Sequence, residues 1–182
     1  GERAELIDGK IYDMAPPSAA HQRILIALST AIYNYIDNNN GSCSVYIAPF
    51  AVFLNGDDKN YVEPDISVIC DPDKIDDKGC HGSPDWIIEI VSSSSRKMDY
   101  SRKQFLYLEA GVLEYWIVDP EKNRVTTTFN NYFQTHPNNK LMSLELDTLY
   151  SEEVDEGEHL TLDFEGRIIH VSVGKVQSPP PG

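Results

Sequence analysis

The sequence predicts one mixed α/β (α+β) domain, in which helices flank a β-sheet. Its length of 182 residues fits a single domain with a sizeable core. Hydrophobic residues make up 41% of the chain, as in ordinary soluble globular proteins. The predicted elements run in the order helix, several strands, helix, strands. We place the domain at residues 1–176 and a flexible proline-rich tail at residues 177–182.

The N-terminal part predicts a hairpin and then a helix. Residues 5–12 fit a short β-hairpin, because Asp8-Gly9 is typical of a two-residue turn. Ser18 is the predicted N-cap of the first helix, since apolar residues recur at helical spacing from Ile24 to Ile36. The run of residues 38–41, Asn-Asn-Asn-Gly, should end that helix.

The rest of the chain alternates strand candidates with turns rich in Gly, Asp and Pro. The predicted central strands are residues 43–48, 51–54, 62–70, 86–92, 114–118 and 124–129. A second helix is predicted from about Lys97 to Ala110, ending at Gly111. Residues 141–146, 159–164 and 168–173 predict an antiparallel C-terminal extension.

The charge of the chain restricts its partners. A formal net charge of −14 argues against a broad basic groove for a nucleic acid. The charge is uneven, however, because residues 145–165 hold nine acidic residues and no Lys or Arg. Residues 96–124 hold six basic and five acidic residues and are nearly neutral. The acidic block is interpreted as solvated surface or, alternatively, as a surface that binds a protein partner.

Cysteine usage and hydropathy predict a cytoplasmic protein. Cys43, Cys70 and Cys80 are odd in number and form no Cys-x-x-Cys motif, which fits a reducing compartment better than a disulfide scaffold. The N-terminus has no basic and apolar signal segment. Because no apolar run approaches the ~20 residues that span a bilayer, we expect no membrane partner.

Two acidic residues in apolar runs predict a functional site. Asp65 and Glu89 each lie in a strand-like segment, where an uncompensated carboxylate costs several kcal/mol. If the two strands pair, the carboxylates can meet at one end of the sheet, and two of them suggest a divalent cation. Lys103, four residues after Asp99, lies on the helix stripe that packs on the sheet, so its ammonium can reach the carboxylates.

Several motifs in one order resemble a known family. They are Glu5-Leu6-Ile7-Asp8-Gly9, His21, Pro64-Asp65, Glu89-Ile90-Val91-Ser92, Asp99-x-x-x-Lys103, Tyr107, Gly111-Val112 and residues 114–120. The chain closely resembles the Uma-two family of restriction endonucleases, of the PD-(D/E)XK nuclease superfamily, over most of residues 5 to about 130. It departs from the superfamily pattern at Val91, where a lysine normally stands, and Lys103 resembles that lysine moved to the helix.

The resemblance implies a restriction-endonuclease-like fold and metal-dependent hydrolysis of DNA. Carried over, Asp65, Glu89 and Lys103 are the catalytic residues, and Asp65, Glu89 and the carbonyl of Ile90 hold Mg²⁺, with Mn²⁺ as the alternative ion. Mg²⁺ would polarise the scissile phosphate, while Lys103 would orient water or stabilise developing charge. Glu5 and His21 are accessory candidates. We also expect a homodimer, since nucleases of this superfamily commonly present two sites to two strands.

Other interpretations stay open. The same fold could serve as a catalytically inactive interaction module, which the net charge favours. A hydrolase that uses two carboxylates on a small or sugar substrate would need a deep pocket instead of an open cleft. Taken singly, Asp65 could cap a turn, Glu89 could face solvent and Lys103 could pair with Asp99 on a helix surface.

Overall fold

The computed structural model describes residues 3–56 and 59–129, together with the backbone of two strands at 159–164 and 167–172. The chain divides into two compact units, Gly1–Tyr132 and Phe133–Gly182. The predicted single domain over residues 1–176 therefore stays a prediction. The acidic side chains of residues 145–165, the predicted strand at 141–146 and the tail at 177–182 lie outside the described residues.

A five-stranded mixed sheet forms the centre of the first unit. Its strands are β3 (Ser44–Ile47), β6 (Ile66–Ile69), β9 (Trp86–Ile90), β10 (Glu114–Asp119) and β11 (Arg124–Phe129). They lie in the order β11-β10-β9-β6-β3, with β9 and β10 parallel and the other pairs antiparallel. The predicted mixed sheet is confirmed.

A second, six-stranded sheet is built from shorter strands. They are β1 (Ala4–Ile7), β2 (Lys10–Asp13), β4 (Val52–Phe53), β5 (Tyr61–Val62), β7 (Ile75–Asp76) and β8 (Gly79–His81), in the order β2-β1-β5-β4-β8-β7. The predicted hairpin is confirmed, since β1 and β2 pair antiparallel around Asp8-Gly9. Both turn residues have positive φ, 52° and 73°, as this tight turn requires. The strands β7 and β8 were not predicted from the sequence.

The predicted strand at residues 62–70 is wrong as a single strand. It divides into β5 and β6, which belong to different sheets. Glu63, Pro64 and Asp65 form the break. Proline has no N–H to donate to a sheet ladder, so the chain leaves one sheet there and enters the other. Asp65 consequently lies at the point where β6 begins.

Two helical segments pack on the five-stranded sheet. The helix α1 (Ala19–Asn38) begins as predicted at Ser18, whose hydroxyl accepts the N–H of His21 at 3.1 Å. The second is a π-helical segment, Met98–Lys103, that continues directly into α2 (Gln104–Glu109). Gly111, at φ 89°, follows its end. Short 3₁₀ turns occur at Leu54–Gly56 and Pro72–Lys74.

The main core lies between α2, the six-stranded sheet and one face of the five-stranded sheet. Ile87, Tyr115 and Ile117 of the five-stranded sheet pack in one buried cluster with Leu106 and Tyr107. Because side chains alternate along β9, Glu89 points to the same face as Ile87. The packing of α2 therefore places a helix directly over Glu89.

The cysteine prediction is wrong for two of the three residues. Cys43 and Cys70 form a disulfide, with 3.9 Å between their Cα atoms, and Cys80 is free and buried. The antiparallel register, in which Ser44 faces Ile69, makes Cys43 and Cys70 the next facing pair. This pairing depends on register and not on spacing, so the sequence did not reveal it. The disulfide removes the cysteine argument for a reducing compartment, and the cytoplasmic location stays a prediction.

The second unit contains an antiparallel pair, β12 (His159–Phe164) with β13 (Arg167–Ser172). It corresponds to two of the three strands predicted for the C-terminal extension. None of the helices in the described part of the chain is long and apolar enough to cross a bilayer.

Candidate active site

The two predicted carboxylates meet where β6 begins. The antiparallel register of β6 and β9 sets Ile66 against Ile88, which brings Asp65 opposite Glu89. The Asp65 carboxylate accepts the N–H of Ile90 through Oδ2 at 2.7 Å. In turn, the N–H of Asp65 lies 3.5 Å from Oε2 of Glu89. The predicted pairing of the two strands is thus confirmed.

Lys103 reaches this position from the π-helical segment. Its ammonium lies 2.9 Å from Oε1 of Glu89 and 2.8 Å from Oε2 of Glu5. Asp99, four residues earlier, has an oxygen at 3.9 Å. The side chain of Lys103 is only 6% exposed, so these carboxylates replace water around the charge. The interpretation of Lys103 as an exposed helix-surface pair with Asp99 is wrong.

Glu5 enters the site from β1 of the six-stranded sheet. Its carboxylate binds Lys103 and accepts the N–H of Glu63 at 3.0 Å. Glu63 itself accepts hydrogen bonds from Arg3 and Tyr61, at 2.6 to 2.8 Å. These contacts hold the break before Pro64 in place. Glu5 thereby links the helix to the segment that carries Asp65.

His21 lies beside Asp65 in the first turn of α1. Its Nε2 is 3.0 Å from Oδ2 of Asp65. Its Nδ1 is buried and has no hydrogen-bond partner in the described part of the protein. Both accessory residues, Glu5 and His21, are therefore in contact with the predicted catalytic residues.

Sequence reasoning missed the contact of Tyr107 with Glu89, and it considered Asp99 only as a partner of Lys103 on a helix surface. Tyr107 is fully buried and donates its hydroxyl to Oε1 of Glu89 at 2.8 Å. Asp99 is 2% exposed and faces Lys103. Both residues are four positions from Lys103, so the spacing Asp99, Lys103, Tyr107 along one helix stripe was the available signal.

The cluster of Glu5, Asp65, Glu89, Asp99 and Lys103, here called the Lys103 cluster, holds four carboxyl groups and one ammonium. Burial raises the pKa of Glu89 well above its usual value, against the opposing effect of Lys103. Burial likewise raises the pKa of Asp99. For Lys103, burial opposes the charge, but the carboxylates of Glu89, Glu5 and Asp99 outweigh it and raise its pKa. Lys103 therefore stays protonated, and the cluster holds four carboxyl groups for one ammonium.

The oxygen donors of Asp65 and Glu89 are of the type that a hard cation prefers. No three His, Cys, Asp or Glu side chains in residues 3–56 and 59–129 are grouped to enclose a metal ion. Mg²⁺ does not need such a cage, because it usually binds one or two carboxylates and fills its other positions with water and substrate phosphate. Asp65 and Glu89 supply two carboxylates. The backbone N–H of Ile90 binds Asp65, whereas the predicted role of its carbonyl stays a prediction.

A nearby cavity does not include these residues. It has a volume of about 340 Å³ and is lined by Asp8, Ser101, Arg102, Phe105, Leu106 and Glu109. Asp65, Glu89 and Lys103 are not among its lining residues. A hydrolase for a small or sugar substrate would need its carboxylates inside such a pocket, so this cavity does not support that alternative.

The mixed sheet flanked by helices has a restriction-endonuclease-like fold. A solved structure supports this fold. The chain is similar to "a putative nuclease belonging to DUF820 from Anabaena variabilis ATCC 29413", with a TM-score of 0.58 and 21% sequence identity. The match covers 69% of this chain and 71% of the other.

A family model described as "Uma2: Putative restriction endonuclease" matches residues 1–167. The chain therefore belongs to the Uma2 family, and the predicted resemblance is confirmed.

Two proteins of Synechocystis sp. (strain ATCC 27184 / PCC 6803 / Kazusa) are also similar. The "Uncharacterized protein slr1290" is 30% identical over 117 residues, which are 64% of this chain and 60% of that protein. The "Uncharacterized protein sll1609" is 26% identical over 121 residues, which are 65% of this chain and 67% of that protein. The chain thus spans about three fifths of the first relative's length.

Proposed function

We propose that this protein is a metal-dependent endonuclease that hydrolyses phosphodiester bonds of DNA. The observation that carries the proposal is that buried Glu89 contacts both the half-buried Asp65 and the buried Lys103, in a cluster with an excess of carboxyl groups. Membership of a family described as restriction endonucleases supports the nuclease class and DNA as substrate. Each predicted catalytic residue comes from a different element, as expected of an assembled site.

Asp65 and Glu89 would hold the cation, which is Mg²⁺ or Mn²⁺. Bound there, the ion supplies positive charge to a phosphate oxygen and acidifies water. Ile90 keeps Asp65 in position through its backbone N–H, and His21 contacts the same oxygen. These contacts involve one oxygen of Asp65, so the other oxygen would hold the ion.

In this proposal Lys103 binds two carboxylates and also acts on the phosphate. An ammonium has three N–H donors, and Glu5 and Glu89 accept two of them. The third would stabilise charge that develops on a phosphoryl oxygen, an effect that often dominates such catalysis. The two bound carboxylates keep Lys103 protonated for that purpose. A homodimer and a cytoplasmic location complete the proposal, the dimer because two sites would serve two strands.

A specific observation favours a second candidate, the catalytically inactive module. The ammonium of Lys103 is buried, and carboxylates surround it in the structure. If those contacts persist when DNA is present, Lys103 would only stabilise the fold. The net charge of −14 also disfavours strong binding to phosphates.

A cleavage assay separates the two candidates. Plasmid and single-stranded DNA are incubated with Mg²⁺ or Mn²⁺ and with the parent or Asp65→Asn. The matched control is Asp85→Asn, because Asp85 also accepts one backbone N–H, that of Cys70 at 2.7 Å, but lies outside the Lys103 cluster. We expect cleavage by the parent and by the control, with a loss of at least ~100-fold for Asp65→Asn, beyond the effect of typical outer-shell changes. Absence of cleavage by the parent would favour the inactive module, and equal cleavage by all three proteins would exclude this site.

A further inference from the structure

The two oxygens of Glu89 have different surroundings. Oε1 accepts hydrogen bonds from Lys103 at 2.9 Å and from Tyr107 at 2.8 Å. The donors stand one helical turn apart on the same side of the second helical segment. Oε2 takes part in neither bond, and it is the oxygen nearer to the N–H of Asp65. Two donors on one oxygen fix the rotation of the carboxylate and turn Oε2 towards Asp65.

Asp65 is held in a corresponding way. Its Oδ2 accepts the N–H of Ile90 at 2.7 Å and lies 3.0 Å from Nε2 of His21. The other oxygen, Oδ1, takes part in neither contact. Each carboxylate thus has one oxygen bound by two protein groups. The second oxygen of Asp65 lies outside these contacts, and the second oxygen of Glu89 has only the long 3.5 Å contact with the N–H of Asp65. Partners that orient metal ligands in this manner are a general feature of metal sites.

We propose that Tyr107 is a positioning residue, which fixes Oε1 of Glu89 so that Oε2 can bind a divalent cation together with Oδ1 of Asp65. The inference rests on the proposed function, since it assigns the atoms of that same site. It goes beyond the predicted site, in which Tyr107 had no part. Lys103 is the charged member of this pair of donors and Tyr107 the neutral one.

The chemistry of Tyr107 suits this task. Its phenol hydroxyl is neutral and donates its hydrogen to Oε1 of Glu89 at 2.8 Å. A neutral donor orients a carboxylate without neutralising the charge that attracts the ion. A second lysine at this place would weaken that attraction.

Tyr115 provides a matched comparison within the same core. Both tyrosines are fully buried, and their rings are in edge-to-face contact at 5.0 Å. Tyr115 donates its hydroxyl at 3.1 Å to the backbone carbonyl of Asp99, not to a carboxylate. Phenylalanine at either position removes one buried hydrogen bond and keeps the ring. Only the change at Tyr107 should affect cation binding.

The test is the affinity of the metal-free protein for Mn²⁺, measured near neutral pH by electron paramagnetic resonance of the free ion. Tyr107→Phe should weaken the affinity by about 10- to 100-fold, the usual effect of losing an orienting partner. Tyr115→Phe should stay within about twofold of the parent, because it removes no bond to the carboxylate of Glu89 or Asp65. Thermal unfolding in EDTA measures the purely structural effect of each hydroxyl, which should be similar for both variants.

The outcomes separate this inference from the function that it extends. If Tyr107→Phe binds Mn²⁺ as tightly as the parent, Tyr107 is not a positioning residue, while the proposed function stands. If the parent binds no Mn²⁺, both fail.

Should Tyr107→Phe not fold, a crystal structure of the parent with Mn²⁺ decides the question. The inference expects Oε2 of Glu89 on the ion, with the hydroxyl of Tyr107 still bonded to Oε1. Ligation through Oε1, or a hydroxyl that has moved away, would overturn it.

Discussion

The second helical segment, residues 98–109, and the residues just before it contact two clusters of charged side chains. The pKa values of the carboxyl groups shift in opposite directions in these two clusters. The first is the Lys103 cluster. The second is the Arg96 cluster, defined as Arg96, Tyr100, Asp119 and Glu121. There the Arg96 guanidinium donates to both carboxylates, and the hydroxyl of Tyr100 donates to Asp119 at 3.3 Å. The second oxygen of Asp119 accepts the N–H of Lys122 at 3.1 Å.

The pKa values shift in opposite directions in the two clusters. Asp119 is buried, which by itself would raise its pKa, but the hydrogen bonds from Arg96 and Lys122 hold that pKa below its usual value. In the Lys103 cluster, burial raises the pKa values of Glu89 and Asp99. Ionisation of Asp119 therefore stabilises the fold, whereas ionisation of Glu89 opposes it. We infer that the Arg96 cluster stabilises the fold. We also infer that the Lys103 cluster lowers the stability of the fold and serves to bind an ion.

Among the changes that test this comparison, removal of the Lys103 ammonium should have the largest effect on the free energy of unfolding. Lys103→Met leaves Glu5, Glu89 and Asp99 buried without their cation. Loss of one partner from a buried ion pair costs about 3–5 kcal/mol, so the free energy of unfolding in urea near neutral pH should fall by that amount.

Lys97→Met is the control for that change, because Lys97 precedes the same helical segment and is exposed. Its effect should stay within about 0.5 kcal/mol. If the two variants were equally stable, the charges of the Lys103 cluster would not contribute to the free energy of unfolding. The contrast with the Arg96 cluster would then be wrong.

A smaller, pH-dependent effect is expected for Arg96→Gln. The folded-state pKa of Asp119 lies below its unfolded value, so this group stabilises the protein above about pH 4 and loses that contribution as the pH falls through the folded-state pKa. The variant should unfold at a lower temperature than the parent at neutral pH, and the two curves should converge in acid. Its DNA cleavage should be unchanged.

Thermal unfolding followed by circular dichroism between pH 7 and pH 3 provides this measurement. A constant difference between parent and Arg96→Gln over the whole range would mean that Arg96 acts through packing and not through the charge of Asp119.

The sequence was sufficient to predict the central part of the site. Alternation along one strand placed Glu89 on an apolar face, and helical spacing placed Lys103 over the sheet. The pairing of the strands that carry Asp65 and Glu89 was a single assumption; the structure confirms it and shows that the pairing is antiparallel. These relations depend on local periodicity, and local periodicity is visible in a sequence.

Features that depend on the path of the backbone in space were not predictable in the same way. The division of one predicted strand at Pro64 decides where Asp65 lies. It arises because the residues before and after the break belong to two different sheets. Tyr107 was in the sequence pattern, but its bond to Glu89 depends on how the helix docks on β9. The disulfide of Cys43 and Cys70 and the contact of Arg96 with Asp119 likewise join residues far apart in the sequence.

The central claim is that the unbalanced carboxylates of the Lys103 cluster bind a divalent cation. Isothermal titration of the metal-free protein with Mg²⁺ tests it most directly, with Asp65→Asn, Glu89→Gln and the control Asp85→Asn in parallel. The account predicts saturable binding by the parent and by Asp85→Asn, and loss of that binding in both other variants. Absence of binding by the parent, or equal binding by all four proteins, would contradict it.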